Sequence, residues 1–405
     1  MKKVALLLAC LLSVFLFSAC TLFYDALNPG ETPSNEPEED LGYMGLEFVL
    51  SDFGGTYYVA GIGSFEGGKL KIPSTYQGYP VTRILDSAFK GCSKISSVII
   101  PEGVRSIGDS AFASCNGLTS VVIPDSVVSI GSYAFYATAI ETVTIGKGVT
   151  TIGSYAFSAC INLTDVTIDN SVNKLGEAVF YNCKKLERVK LSDNIKTIPK
   201  DTFKDSGLSL LDIPYGVEHI DENAFYNCNL TDVKIPSSVK SIGAYAFSRT
   251  SLNKVDIPDN VTELGIGVFE TCFSMESVNV GNGITRIPND AFHGCGSLVS
   301  VTIGENVESI GGSAFFGCSD MESINIPDGV KYIEASAFGW CYKLFAVRFG
   351  IGLESIGAHV FWNCDDLAVA QYAGSAEMWE NITIELGNEI LENVSMSYAM
   401  KENDN

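Results

Sequence analysis

The stretch Ser106–Gly131, SIGDSAFASCNGLTSVVIPDSVVSIG, opens and closes on the same three residues, 23 positions apart. At its centre a small residue precedes Phe112. That step returns at Phe89, Phe112, Phe135, Phe157, Phe180, Phe203, Phe225, Phe247, Phe269, Phe292, Phe315, Phe338 and Phe361. These 13 anchors are separated only by 22 or 23 residues. A fixed period of this length marks stacked supersecondary units, none of which buries its apolar face alone. The sequence therefore predicts an α/β repeat solenoid with one parallel sheet and short turn or helical segments opposite. It should have about 13 coils of 22–23 residues.

One repeat reads approximately AFxxCxxLxxVxIPxxVxxIG. The LxxVxI piece occurs as Leu118-Val121-Ile123, Leu163-Val166-Ile168 and Leu298-Val301-Ile303. Val121 and Ile123 are two apart, so they share one face of an extended strand. Pro124, Pro236 and Pro327 close strands, as fits a residue without an N–H. A second apolar pair follows, for example Val127-Ile130, and then the Phe turn. The recurring IG glycines are expected to supply cheap positive φ. Parallel strands about 4.8 Å apart would make a rod or arc on the order of 60 Å long.

With these motifs in view, the chain resembles the BspA-like bacterial surface leucine-rich repeat proteins. The likeness runs from about Thr82 to Leu367. LEFVLSDFGGTYYVAG with IPSTYQGYPVTRI (within Leu46–Ile84) resembles that family's N-terminal segment, and Tyr372–Ile382, YAGSAEMWENI, its C-terminal cap. The resemblance implies a surface-exposed, non-catalytic binding or adhesion protein. A fold alone does not fix a function.

The start, MKKVALLLACLLSVFLFSAC, sets Lys2 and Lys3 before an apolar run too short to span a bilayer as an ordinary helix. It reads as an export signal. Its end, FSAC, resembles a lipobox, with Phe17 where Leu is usual. Cys20 is the expected lipidated residue, anchoring the chain to a bacterial membrane. The expected domains are a lipoprotein signal peptide (1–19), an acidic, Pro-containing tether (20–42) and an N-terminal cap segment (43–81). The solenoid (82–370) and a C-terminal cap with a polar tail (371–405) follow. The expected location is the cell surface or envelope.

Formal charge is −22, and loss of Lys2 and Lys3 would leave 24 basic against 48 acidic residues, −24. Such a surface repels phosphate backbones, so no nucleic-acid partner is expected. Ten of the 12 Cys, from Cys92 to Cys364, lie three residues after an anchor Phe. Thr138, Ser206 and Thr250 fill that column in the other three coils. Disulfides or a metal would not accept Thr or Ser, so the column reads as a buried ladder of reduced thiols. His219, His293 and His359 sit at unrelated repeat positions. No HExxH, GxSxG, phosphate loop or EF-hand run occurs. No catalytic residue, metal site or cofactor is expected. Acidic residues after strand ends, such as Asp125, Asp259 and Asp328, fit solvated turns better than a weak calcium ridge.

Positions flanking the central strand Val should face outward. They are mostly short and polar, as at Thr142, Thr144, Ser300, Thr302, Ser323 and Asn325. In the middle one column reads Lys190, Asp212, Lys234, Asp256, which suggests an ion ladder across adjacent strands. Aromatics follow the anchor Phe at Tyr136, Tyr181, Tyr226, Phe316 and Trp362, and Trp340 lies one step further. Exposed, they would form an edge ridge of the kind that marks contact sites. Tyr181, Tyr226, Trp362, Thr302 and Asn325 are the candidate ligand-binding residues. The expected partner is an extracellular protein or glycan, the alternative a structural spacer or self-associating envelope module.

Overall fold

The computed structural model describes residues 45–399. Cys20, the signal and the tether lie outside the described residues, and so does the end of the polar tail.

Most coils lay down two short strands, and each strand type stacks in parallel along the solenoid. One ladder runs through the VxxI apolar pair: Ser106–Ile107, Ser129–Ile130 and Thr151–Ile152 pair in register. It falls into runs of six, four and five parallel strands, so the solenoid has about 15 turns. Thirteen of these carry the anchor Phe. Tyr57–Gly61 adds a turn before them and Thr383–Ile384 one after. The second ladder runs through the VxI segment: Ser120–Val122, Thr142–Thr144, Asp165–Thr167 and Arg188–Lys190. The single sheet expected from sequence is therefore two. The xxVxxIG segment, expected only to supply a second apolar pair, forms the additional strand. It supplies two ladder residues per coil, and a neighbour on each side makes those sufficient.

The alternation of inward and outward positions is as the sequence predicts. Val121, Val166, Val189 and Val255 are buried, while Ser120, Thr142, Thr167, Arg188 and Lys190 are exposed.

The third side of each coil corrects a second expectation. The Phe turn is not helical. The only α-helix among the described residues is α1, Ala376–Glu380, in the C-terminal cap, where Ser375 Oγ accepts the Met378 N–H. The reason lies in the backbone. Each anchor Phe is flanked, two residues before and two after, by a residue with positive φ. Tyr155 (φ 59°) and Ala159 (φ 57°) bracket Phe157, and Ala178 (53°) and Asn182 (60°) bracket Phe180. Left-handed residues at this spacing cannot propagate a right-handed helix. They turn alternate N–H groups toward the next coil instead. Ser87, Phe89 and Gly91 donate to the carbonyls of Asp109, Ala111 and Ala113 at 2.7–2.8 Å. Ala88, Lys90 and Cys92 donate within their own turn. Where both ladders run on, a coil is thus tied to its neighbour on three sides.

The IG glycines differ from expectation for a related reason. Gly131 and Gly153 do not have positive φ. A Cβ on Gly131 would stand 2.6 Å from the Asp109 nitrogen, and one on Gly153 2.5 Å from that of Ser132. These glycines admit the backbone of the preceding coil, while the left-handed positions fall mainly to residues with side chains.

The core is a column of anchor rings. All 13 are buried, and successive centroids lie 5.0–5.9 Å apart with planes within 18° of parallel. Aromatic pairs at such distances contribute beyond their buried area. Glu47–Leu50 pairs antiparallel with Tyr57–Gly61 at the N-terminal end. Ser395–Tyr398 pairs with Val369–Tyr372 at the other.

Candidate ligand-binding surface

The Cys column is the most regular chemical feature of the interior. The Cys115 thiol donates to the carbonyl oxygen of Phe89, one coil back, at 3.1 Å. Cys160, Cys183, Cys228, Cys295, Cys341 and Cys364 repeat that bond. All ten cysteines are free, and only Cys92, on the first anchored coil, is partly exposed. Thr138 and Thr250 use their hydroxyls on the Phe carbonyl of their own coil. This explains why the column accepts a hydroxyl. Burial pushes Cys160 up to about 11 and Cys115 and Cys228 up to about 12. Thiols so held are poor nucleophiles and poor metal ligands.

The acidic turn residues act as caps between coils. Asp125 Oδ1 accepts the Lys147 N–H at 2.7 Å, and Asp259 Oδ1 the Asn282 N–H at 2.7 Å. Among the described residues no three His, Cys, Asp or Glu side chains gather as a metal would require. His219 Nδ1 lies 2.8 Å from Ser241 Oγ and His293 Nδ1 3.3 Å from Asp290 Oδ1.

The expected ion ladder does not form across strands. Among the described residues, the one ion pair made by a member of that column joins Asp256 to Lys254 of its own strand, at 2.9 Å. Here the second ladder has lost a strand, for the VxI segment around Val233, between Leu210–Leu211 and Lys254–Ile257, forms none. Lys190 and Asp212 instead line an open depression of about 600 Å³ with Arg188 and Asp193.

The five candidate binding residues fall into three settings. Thr302 and Asn325 are exposed on neighbouring outward strands, and Asn325 Oδ1 accepts from Arg348 at 3.1 Å. Tyr181 is partly buried. Tyr226 is also partly buried, with the Lys204 ammonium 5.3 Å and the Arg249 guanidinium 5.7 Å from its ring centroid. Trp362 is 48 % exposed and belongs to a connected aromatic run. Phe316 lies 5.9 Å from Trp340, and Trp340 5.9 Å from both Trp362 and Tyr342. His293 extends the run beside Phe316 at 5.1 Å, and His359 sits beside Trp362 at 6.3 Å. The ring contacts thus join Trp362 to Trp340 and Phe316 but do not reach Tyr181 or Tyr226. Trp340 takes its place because it is the left-handed residue of its turn (φ 59°). Tyr133 and Tyr155, stacked at 4.8 Å from left-handed positions two residues before the anchor, were not singled out from sequence. Their shared repeat position was the available signal.

The BspA type leucine rich repeat region (6 copies) matches residues 82–209, 196–321 and 262–383. A leucine-rich repeat protein from Bacteroides ovatus is similar in structure, with a TM-score of 0.69 and 29 % identity, covering 88 % of this chain and 98 % of that one. The pneumococcal vaccine antigen PcpA shares the fold at 18 % identity, with a TM-score of 0.52, covering 89 % of this chain and 98 % of its own. No curated protein matches. The matched repeats span more than half of the sequence and coincide with the stacked Phe, Cys and strand columns, and the chain belongs to the BspA type leucine-rich repeat family.

Proposed function

We infer that this chain is an exported, lipid-anchored surface protein whose solenoid binds an extracellular protein or glycan and performs no catalysis. The observation that carries the reading is the aromatic run Phe316–Trp340–Trp362, with Trp340 39 % and Trp362 48 % exposed. Large aromatics left in water along successive coils offer much apolar area at little entropic cost, as contact sites do. The outward strand face beside it is lined by short polar groups that can hydrogen-bond without a large entropy loss. Solenoids commonly bind along such extended surfaces. The interior thiols and turn carboxylates are committed to backbone groups, which leaves them little capacity for chemistry.

A binding screen of the full chain against extracellular matrix proteins and a glycan array tests the reading. Capture of a ligand that Trp340→Ala/Trp362→Ala releases supports it; no ligand from either class contradicts it. Anchoring rests on Cys20 after the signal-like run. Metabolic labelling with a fatty-acid analogue should mark the wild type and not Cys20→Ala, and equal labelling would refute the anchor.

A further inference from the structure

Three successive coils are one residue short at the same corner. From Phe203, Phe225 and Phe247 the chain reaches the buried residues Leu208, Leu230 and Leu252 in five steps. From Phe269 it takes six to reach Met275, and Met275 N–H closes an extra turn on the Cys272 carbonyl at 3.0 Å. The short coils omit that turn. Where they meet the first long one, a recess of about 470 Å³ opens. That volume lies within the usual range of small-molecule sites.

We propose that this recess binds a carboxylate-bearing sugar, with Arg249 as the anion anchor and Phe273 as the stacking wall. Arg249 makes no ion pair among the described residues; its guanidinium rests near the Tyr226 ring. Lys204, the other cation beside that ring, is already paired with Asp201 at 3.4 Å. Arg249 therefore keeps its fork of N–H donors for a carboxylate, which it can take in bidentate fashion. Phe273 is 66 % exposed. Its ring offers an apolar wall to the C–H face of a pyranose. Ser251, Ser274 and Asn227 supply neutral donors and acceptors suited to sugar hydroxyls. The Thr271 Oγ1 is buried without a partner, as a waiting hydrogen-bonding group would be.

The Arg249 side of the recess is the less acidic one, since residues 255–276 on the Phe273 side hold five acidic side chains and no basic one. Residues 184–254 hold 11 basic and 9 acidic side chains, in a chain whose net charge is −22. Asp205, an acidic neighbour one coil back, already accepts the Asn227 amide at 2.7 Å and takes Lys184 on its carbonyl at 2.8 Å. A simple acidic peptide would use Arg249 but not the aromatic wall and hydroxyl set together, so a sugar is the better fit.

The inference deepens the binding reading by naming a ligand class, at a place apart from the tryptophan run. The test is calorimetric titration of the full chain with a glucuronate-containing disaccharide. Its counterpart with the carboxyl reduced to a hydroxymethyl and a short polyglutamate peptide serve as comparisons. Binding should be seen with the glucuronate compound alone. R249Q should weaken it at least tenfold, and F273A severalfold, with unchanged thermal melting. A glycine inserted after Thr250 to restore the six-step corner should abolish it. Trp340→Ala/Trp362→Ala should leave it intact. Equal binding of the reduced sugar or the peptide, no binding at all, or full affinity in R249Q each overturns the proposal. If glucuronate fails while a screened ligand still needs the tryptophans, the recess alone is wrong.

Discussion

The Cys115 thiol reaches back 26 residues to the Phe89 carbonyl at 3.1 Å, so a side chain in one coil satisfies the backbone of the coil before. The same carbonyl also receives the Cys92 N–H of its own turn, at 3.0 Å. The Cys column is thus a seam of hydrogen bonds between coils. Thr replaces Cys there because a hydroxyl also serves the Phe carbonyl.

Thiol reactivity should follow burial along this seam. In native buffer an alkylating reagent should modify Cys92 first and leave the other nine unmodified over the same time. Rapid labelling of several would contradict the buried seam. The seam also sets an alkaline limit. Burial holds Cys160 near 11 and Cys115 and Cys228 near 12, above the 9.0 of a free thiol. Their contribution to stability is complete below pH 9 and is lost as pH rises toward 11–12, because only the unfolded thiols ionise in that window. Denaturant midpoints should fall across it, and less steeply in a Cys160→Thr/Cys228→Thr variant.

Phe225 packs between Phe203 and Phe247, with centroids at 5.5 and 5.0 Å. Phe225→Ala should cost about 3–5 kcal/mol, the usual range for a buried Phe. Coils touch only their neighbours, so lost protection in hydrogen exchange should centre on the 203–247 turns. Uniform loss over every coil would contradict nearest-neighbour stacking.

The left-handed turn positions carry strain that glycine relieves. Ala137 has φ 53° and is only partly buried. Ala137→Gly should stabilise the protein by about 0.5–1 kcal/mol, relief of the left-handed penalty exceeding the added chain entropy. Gly91 occupies the equivalent position at φ 76°, with open space around its Cα. Gly91→Ala should destabilise by a similar amount, measured by urea unfolding. Destabilisation by Ala137→Gly together with stabilisation by Gly91→Ala would refute the backbone account of the turn.

The solenoid was legible because its period rests on large, regularly spaced residues such as Phe112, Leu118 and Val121. The inward and outward strand positions followed from the same spacing. The ladder through the VxxI pair was hidden because two residues, Ser129 and Ile130, show no alternation by themselves; stacking makes them a strand. The turn around Phe157 was hidden for another reason. Tyr155 and Ala159 have no glycine or asparagine to announce a left-handed backbone, and inter-coil bonds hold them there. On the surface, adjacency in a repeat column did not guarantee contact. Lys190 and Asp212 share a column but no ion pair, whereas Trp340 and Trp362 meet from different columns. The short corners at Phe203, Phe225 and Phe247 were countable in the sequence, but the recess they leave beside Phe273 is visible only in three dimensions.

The central claim, that exposed aromatics make this solenoid a binding protein, is tested most directly by one affinity comparison. A ligand captured by the full chain is titrated against wild type, Trp340→Ala/Trp362→Ala, Tyr181→Ala/Tyr226→Ala and Thr302→Lys/Asn325→Lys. The tryptophan pair should lose at least tenfold in Kd, about 1.4 kcal/mol. The tyrosine pair, partly buried and flanked by cations at Tyr226, should lose less, and the outward lysines should shift affinity through contacts along the strand face. Unchanged affinity in the tryptophan variant, with its fold intact by circular dichroism, would contradict the account.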